Sequence, residues 1–201
     1  MKLLFNLVVN DIRKNRIISS ILFAFLMLSA VLLTGGLRIG VTSITSINAL
    51  STVAQIPDYI QMHKGDYDEK AIDDFVKNHD YIEAFQVTKM LNIKNSELYH
   101  NGESFENSLM DNSFVAQNES FDYLLDMNNE IAIINKGEIG IPIYYAQELG
   151  IELGDSIRVE KGSYAKDFKV STIIRDAQMN SALTSSKRLL INEADILELS
   201  S

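Results

Sequence analysis

The residue types that most often carry enzyme chemistry are scattered through this sequence. The three histidines, His63, His79 and His100, form neither an HxH nor an HExxH pattern, the spacings that bring two imidazoles to one metal ion. No cysteine is present, so the chain offers no thiolate ligand, disulfide framework or cysteine nucleophile. We therefore expect no metal site, no cofactor and no assignable catalytic residue.

Motifs for other chemistry give little more. The sequence contains no GxSxG elbow and no glycine-rich phosphate loop. Acidic runs such as Asp66, Asp68 and Glu69 are typical of a solvated face, although an acid–base pair among the many carboxylates stays open. Asn118 begins a three-residue glycosylation sequon, which is a weak signal. The chain is not expected to be an enzyme, and its substrate-binding residues are unknown.

The clearest feature of the sequence is an uncharged apolar stretch at residues 17–37. Twenty-one residues at about 1.5 Å each span roughly 31 Å, close to the hydrocarbon thickness of a bilayer. The stretch therefore predicts one transmembrane helix. One alternative is a cleaved signal peptide, whose apolar region is usually shorter. Another is a buried helix of a soluble protein, but a fully apolar stretch of this length has no side that could face water.

Charge indicates how this helix is oriented. Arg13, Lys14 and Arg16 precede the stretch and only Arg38 follows it closely, so the positive-inside rule places the N-terminus in the cytoplasm and the following domain outside the cell membrane. From residue 51 onwards the chain holds 13 bases and 26 acids. An acidic domain argues against a nucleic-acid partner.

The regions flanking the predicted span have helical periodicity. Residues 1–16 mix apolar and basic side chains and predict a cytoplasmic interfacial helix in contact with membrane lipid; a frayed tail is the alternative. Residues 38–56 have apolar side chains every three or four positions and predict an extracytoplasmic stalk helix. Gly36 and Gly40 form a small-xxx-small pair at the outer membrane edge, where a second helix could approach or the chain could flex.

Residues 57–201 predict an α+β extracytoplasmic core domain, because strands and helices follow each other without a regular repeat. A β-rich block, GIELGDSIRVEKG and AKDFKVSTIIRDAQ, is predicted to form a hairpin in a small second lobe, so we expect two lobes. One lobe would hold residues 59–86 and the Phe114 region, and the other residues 142–169. The remaining predicted strands are 59–63, 82–93, 96–100, 113–117, 131–135 and 189–192, and the predicted helices are 69–78, 121–127, 142–149 and a short one after residue 192.

This order of parts resembles that of a known membrane-protein family. The string NDIRKNRIISSILFAFLMLSAVLLTGG looks like the start of permease subunits of ABC transporters of the MacB/FtsX-like type. The strings IPIYYAQELGIELGDSIRV and IIRDAQMNSALTSSKRLLIN are similar to parts of the extracytoplasmic core domain that these permeases carry between their first two spans. The resemblance covers most of the chain.

The resemblance implies a mechanical function. ATP hydrolysis by a separate ATP-binding cassette subunit would move the membrane helix and its stalk, and the outer domain would export or extract a peptide-like or lipid-like cargo, with the full transporter a dimer. Family members also have further spans that grip the ATPase. No second apolar run of that length occurs in residues 38–201, so we expect a fragment, a truncated product or one piece of a split permease.

Two other functional classes fit the same layout. A single-pass sensor or adaptor ectodomain would share the span, but sixteen N-terminal residues cannot hold a signalling domain. An anchored extracellular enzyme would need a pocket with converging titratable groups, which the sequence does not reveal.

Overall fold

The computed structural model of this chain describes Asn10 and residues 13–162, 164–180 and 184–200. The predicted interfacial helix at 1–16 therefore falls largely outside the described residues. The chain divides into two units, one ending at Asn48 and the other beginning at Ala49. Helix α1, Arg16–Ala54, contributes to both.

Helix α1 contains 39 residues in one uninterrupted run. Hydroxyl side chains in its apolar part bond to the preceding turn: Ser29 Oγ donates to the Phe25 carbonyl at 2.9 Å, and Thr34 Oγ1 to the Ala30 carbonyl at 2.7 Å. No described residue of the first unit is buried. Within the described part of the chain, α1 is the one helix whose length and apolar composition suit a membrane span, with a mean hydropathy of 2.5 in its most apolar window.

The second unit is a mixed α+β domain, as the sequence predicts. Its helices are α2, Glu69–Lys77, α3, Ile143–Glu148, and α4, Glu193–Ser200. Two short 3-10 turns lie at Asn95–Glu97 and Phe105–Asn107. The eight strands are β1 Leu91–Ile93, β2 Leu98–His100, β3 Glu103–Ser104, β4 Asp111–Val115, β5 Glu138–Pro142, β6 Ser156–Lys161, β7 Tyr164–Ile174 and β8 Ser186–Ile191.

All eight strands of the described residues belong to one sheet, in the order β1-β4-β8-β5-β7-β6-β2-β3. The pairs β4–β8 and β5–β7 are parallel and the other pairs are antiparallel. The late strand β8 lies between β4 and β5, so it joins the two parts of the sheet. Burial in β8 does not alternate but runs almost continuously along the strand, which is expected for a central strand covered on both faces.

One main core cluster contains residues from both predicted lobes. Phe114 packs in the same cluster as Tyr145, Ile157 and Phe168, and the whole of the second unit forms one compact body. The predicted division into two lobes is therefore not confirmed. No described residue of the other segment of the predicted first lobe, 59–86, is buried.

Gly140 in β5 is required by close packing within the sheet. A Cβ at this position would lie 2.9 Å from Cγ2 of Ile174 and 3.1 Å from Cβ of Leu190. Even the smallest side chain would therefore displace β5 relative to its neighbours.

Several element predictions are confirmed. Helix α2 begins after Asp68, whose carboxylate accepts the Ala71 N–H at 2.9 Å, and helix α3 follows Pro142, with Gly150 at a φ of 64° beyond its end. The β6–β7 hairpin, the final strand and the helix after it are also present.

Other element predictions are wrong. Residues 59–63 and 131–135 form no strand, 121–127 form no helix, and only Leu91–Ile93 of the segment 82–93 is a strand. The segment 101–108, between two of the predicted strands, holds the short strand β3 and the buried Phe105. Alternating apolar residues specify a strand only when a neighbour offers a hydrogen-bonding edge.

Candidate functional site at the end of the long helix

The last turn of α1 is built into the domain. Leu50 and Ala54 are the buried residues of this helix, and they pack in one cluster with Leu125 and Ala177, against which Tyr123 also lies. An alanine with no exposed surface allows the neighbouring backbone to approach closely. Burial of this turn distinguishes the end of α1 from the rest of the helix.

Backbone hydrogen bonds complete the attachment. The helix ends in a Schellman motif, with the Ile56 N–H donating to the Ser51 carbonyl at 3.2 Å and Gln55 in the left-handed region at a φ of 51°. The carbonyls of Gln55 and Ala54 then accept the N–H groups of Asp122 and Tyr123, both at 2.8 Å. The segment around residue 122 thus satisfies carbonyls that the helix leaves free at its end.

A buried ionic cluster lies directly beneath this attachment. Arg188 from β8 is 3% exposed and donates to both oxygens of Asp176, each at 2.7 Å. It also donates to both oxygens of Asp122, at 2.5 and 3.0 Å. Both carboxylates are buried. Paired bidentate contacts of this kind are the strongest and most directional that an arginine makes.

The neighbours of the cluster hold both carboxylates in place. Asp176 also accepts the Met179 N–H at 2.8 Å. The Asn118 amide donates to the carbonyl and the carboxylate of Asp122, at 3.0 and 3.2 Å, and accepts from Thr88 Oγ1 at 2.8 Å. The sequon asparagine therefore lies in the network beside the end of α1.

Burial and charge act against each other in the cluster. Burial raises the pKa of Asp122, and the neighbouring Asp176 carboxylate adds to this, while Arg188 opposes it. Burial likewise opposes the charge of Arg188, but its two carboxylate partners outweigh that effect and raise the pKa of its guanidinium. With one cation and two carboxylates, the cluster is stable only while all three side chains remain together.

The chemically interesting residues named from the sequence are not brought together. His63 Nε2 lies 2.8 Å from the Asp66 carbonyl oxygen, and His79 Nδ1 lies 2.6 Å from that of Phe75. His100 is buried and its Nε2 lies 2.9 Å from the carboxylate of Asp155. Within the described residues, no group of three potential ligands could hold a metal ion.

Two other basic side chains of the domain, Arg158 and Lys166, are paired with carboxylates. Arg158 lines an open depression, but it contacts Glu160 at 2.6 Å and Asp167 at 3.5 Å. Residues 163–166 read Ser-x-x-Lys, a spacing used by some serine nucleophiles. Lys166 contacts the buried Asp195 at 2.5 Å, and Ser163 lies outside the described residues.

Sequence reasoning missed Asp122, Asp176 and Arg188. A usable signal was present, because Lys187 and Arg188 directly precede the apolar run of the final strand, where an arginine on a buried strand requires a carboxylate partner. No family model matches the sequence, and no curated protein matches it either. The evidence for function therefore comes from the membrane-compatible helix and from the way its end is held.

Proposed function

We propose that the chain is anchored in the cell membrane by α1, once through, with a cytoplasmic N-terminus and the α+β domain outside. The support is the 39-residue helix, its apolar exposed surface at residues 17–37, and the basic residues Arg13, Lys14 and Arg16 before it. Apolar side chains with no protein cover are suited to lipid.

We further propose that the chain is the membrane-spanning part of an ABC-transporter permease of the MacB/FtsX-like type. The observation that carries this proposal is the continuity of α1 from the apolar stretch to a buried, hydrogen-bonded end in the domain. The string that resembles the core domain of these permeases, residues 173–192, contains both Asp176 and Arg188. A transporter that works by moving a helix needs such a fixed end.

In the proposed mechanism, a separate ATP-binding cassette subunit hydrolyses ATP and displaces the cytoplasmic end of α1. The helix passes the displacement to the loop around Asp122, to which its final carbonyls are bonded. Arg188 passes it on to β8, the strand that joins the two parts of the sheet. The domain then moves a peptide-like or lipid-like cargo.

The partners follow from this mechanism. The ATPase supplies the energy, and further permease spans grip it. A second copy would make the transporter a dimer, and membrane lipid surrounds α1.

The topology can be tested with single cysteines, because the natural sequence has none. Leu109→Cys places a thiol at a position that is 91% exposed in the domain, and Asn10→Cys places one before the helix. A membrane-impermeant maleimide applied to intact cells should label the former only. Labelling of Asn10→Cys alone would reverse the orientation and contradict the proposal.

The transport function can be tested by breaking α1 between the membrane stretch and the domain. Ser46→Pro removes a helix hydrogen bond and costs about 3 kcal/mol locally, whereas Ser46→Ala is a matched control that keeps the helix. In the complete complex with its ATPase, Ser46→Pro should abolish export while the domain still folds and reaches the membrane.

Undiminished export by a correctly inserted Ser46→Pro variant would show that α1 is not the transmitting element. Loss of export by Ser46→Ala as well would point to a side-chain role instead of helix continuity. ATPase activity that persists without export would identify the break as uncoupling.

A further inference from the structure

The segment 58–83, here called the acidic surface segment, combines many carboxylates with exposed apolar side chains. It carries eight carboxylates and three lysines. Within the described residues, none of these eight carboxylates forms an ion pair. By simple count, with histidine neutral, the segment has a net charge of −5.

The same segment exposes an unusual share of apolar and aromatic side chains. Helix α2 places Ile72, Phe75 and Val76 at the spacing of one face, yet it has no buried residue. The exposed fractions are 54% for Phe75, 75% for Tyr81 and 78% for Tyr59. Ile72 and Val76 are half-buried, so the apolar face of α2 is only partly covered, as is typical of a surface that binds a partner.

An exposed aromatic cluster lies at the end of this helix. The rings of Phe75 and His79 are 4.1 Å apart, and those of His79 and Tyr81 are 5.3 Å apart. Exposed aromatic rings among carboxylates offer cation–π and charge contacts to lysine or arginine side chains.

We propose that the acidic surface segment docks a cationic amphipathic peptide segment. Its carboxylates complement lysine and arginine, and its apolar face takes the apolar side of the peptide. A symmetric contact between two copies would bring two negative segments together, and an anionic lipid surface would be repelled as well. Charge therefore selects a basic partner, and this inference stands independently of the proposed transport function.

The test uses the full chain in nanodiscs of zwitterionic lipid, with empty nanodiscs as the blank. The probe is a fluorescent helical peptide built from leucine and lysine, compared with the same peptide carrying glutamate in place of lysine. Fluorescence anisotropy should show binding of the lysine peptide at least about tenfold tighter than that of the glutamate peptide. Raising the ionic strength from low to about 0.15 M should weaken it.

Matched variants locate the binding surface. Asp73→Asn with Asp74→Asn removes two charges and should weaken binding about tenfold, and Phe75→Ser should weaken it with less dependence on salt. The control Glu103→Gln with Glu106→Gln, two exposed acids elsewhere in the domain, should change it less than about twofold. Circular dichroism should be unchanged for all three.

Four outcomes would overturn the proposal. Equal binding of the lysine and glutamate peptides would remove the charge argument. Equal weakening by the control pair would show that only net charge matters. Binding to the blank equal to that of the loaded discs would show that the peptide binds lipid and not the acidic surface segment. Self-association of the chain that excludes the peptide would assign the surface to a second copy.

Discussion

Arg188→Met should strongly destabilise the domain, because it leaves Asp122 and Asp176 buried without their common cation. The guanidinium makes four charge-assisted hydrogen bonds, between 2.5 and 3.0 Å. Breaking a buried ionic group by removing one partner costs about 3–5 kcal/mol. That is a large share of the total stability of a domain, which is about 5–15 kcal/mol.

A matched control is available on β6, in the same sheet. Arg158 also contacts two carboxylates, Glu160 and Asp167, but its side chain is 47% exposed. Arg158→Met removes the same chemical groups and should change stability little, because water and salt screen exposed ion pairs. The comparison separates the effect of burial from the effect of losing an arginine.

The two carboxylates should also differ. Asp176→Asn should cost about 1.5–3 kcal/mol, because it weakens a buried bidentate pair. Asp122→Asn should cost less at neutral pH, because burial raises the pKa of Asp122 and the ionised form is disfavoured. Protonated Asp122 contributes stability that is present at low pH and is lost as pH rises through the raised pKa. The free-energy cost of Asp122→Asn should therefore fall as pH rises. Asparagine also tolerates the φ of 55° at this position.

Urea unfolding of the full chain in detergent micelles, followed by tyrosine fluorescence, measures these differences in the free energy of unfolding. The slope of that free energy against urea concentration should be the same for all variants. Hydrogen exchange at residues 118–125 would show whether the loss is local to the helix end. Equal effects of Arg188→Met and Arg158→Met would refute the reasoning, as would an Asp122→Asn cost that grows with pH.

The remaining predictions concern packing and acid stability. Gly140→Ala should destabilise the domain by about 1–3 kcal/mol through overpacking, seen as a lower urea midpoint; an unchanged midpoint would contradict the close approach of Ile174 and Leu190 to this position. Ala54→Leu should speed hydrogen exchange in the last turn of α1, while Val53→Leu, 47% exposed, should not; equal effects would argue against a specific attachment. The Glu152 N–H, and next His100, lower the pKa of Asp155, so its contribution to stability is present above the ordinary carboxyl value of 3.8 and is lost as pH falls through the lowered pKa. The difference between wild type and Asp155→Asn in urea unfolding should therefore shrink with acid, and a constant difference would exclude this linkage.

Local signals in the sequence were sufficient for several elements. The apolar run at 17–37 and the periodicity beyond it predict α1, because both depend on residues within a few turns. Pro142 and Gly150 likewise mark the limits of α3, and the turn between β6 and β7 marks the hairpin. These elements need no distant partner to be recognised.

Features that depend on distant partners could not be predicted in this way. Residues 82–90 have strand-like composition but pair with no strand in the structure, since sheet formation requires an available edge. Arg188 finds one partner twelve residues away and another sixty-six residues away. Nothing in the residues around Asp122 distinguishes it from the other acids, so the cluster appears only when the chain is folded.

The central place of β8 sets the order in which the domain can be completed. β4 and β5 are made long before the strand that lies between them, and about fifty residues separate the end of β5 from the end of β8. At synthesis rates of about 5–20 residues per second, this leaves two open strand edges for about 3–10 s. Such edges invite pairing with other chains. The newly made domain therefore exposes these edges until β8 has been made and has paired with both β4 and β5.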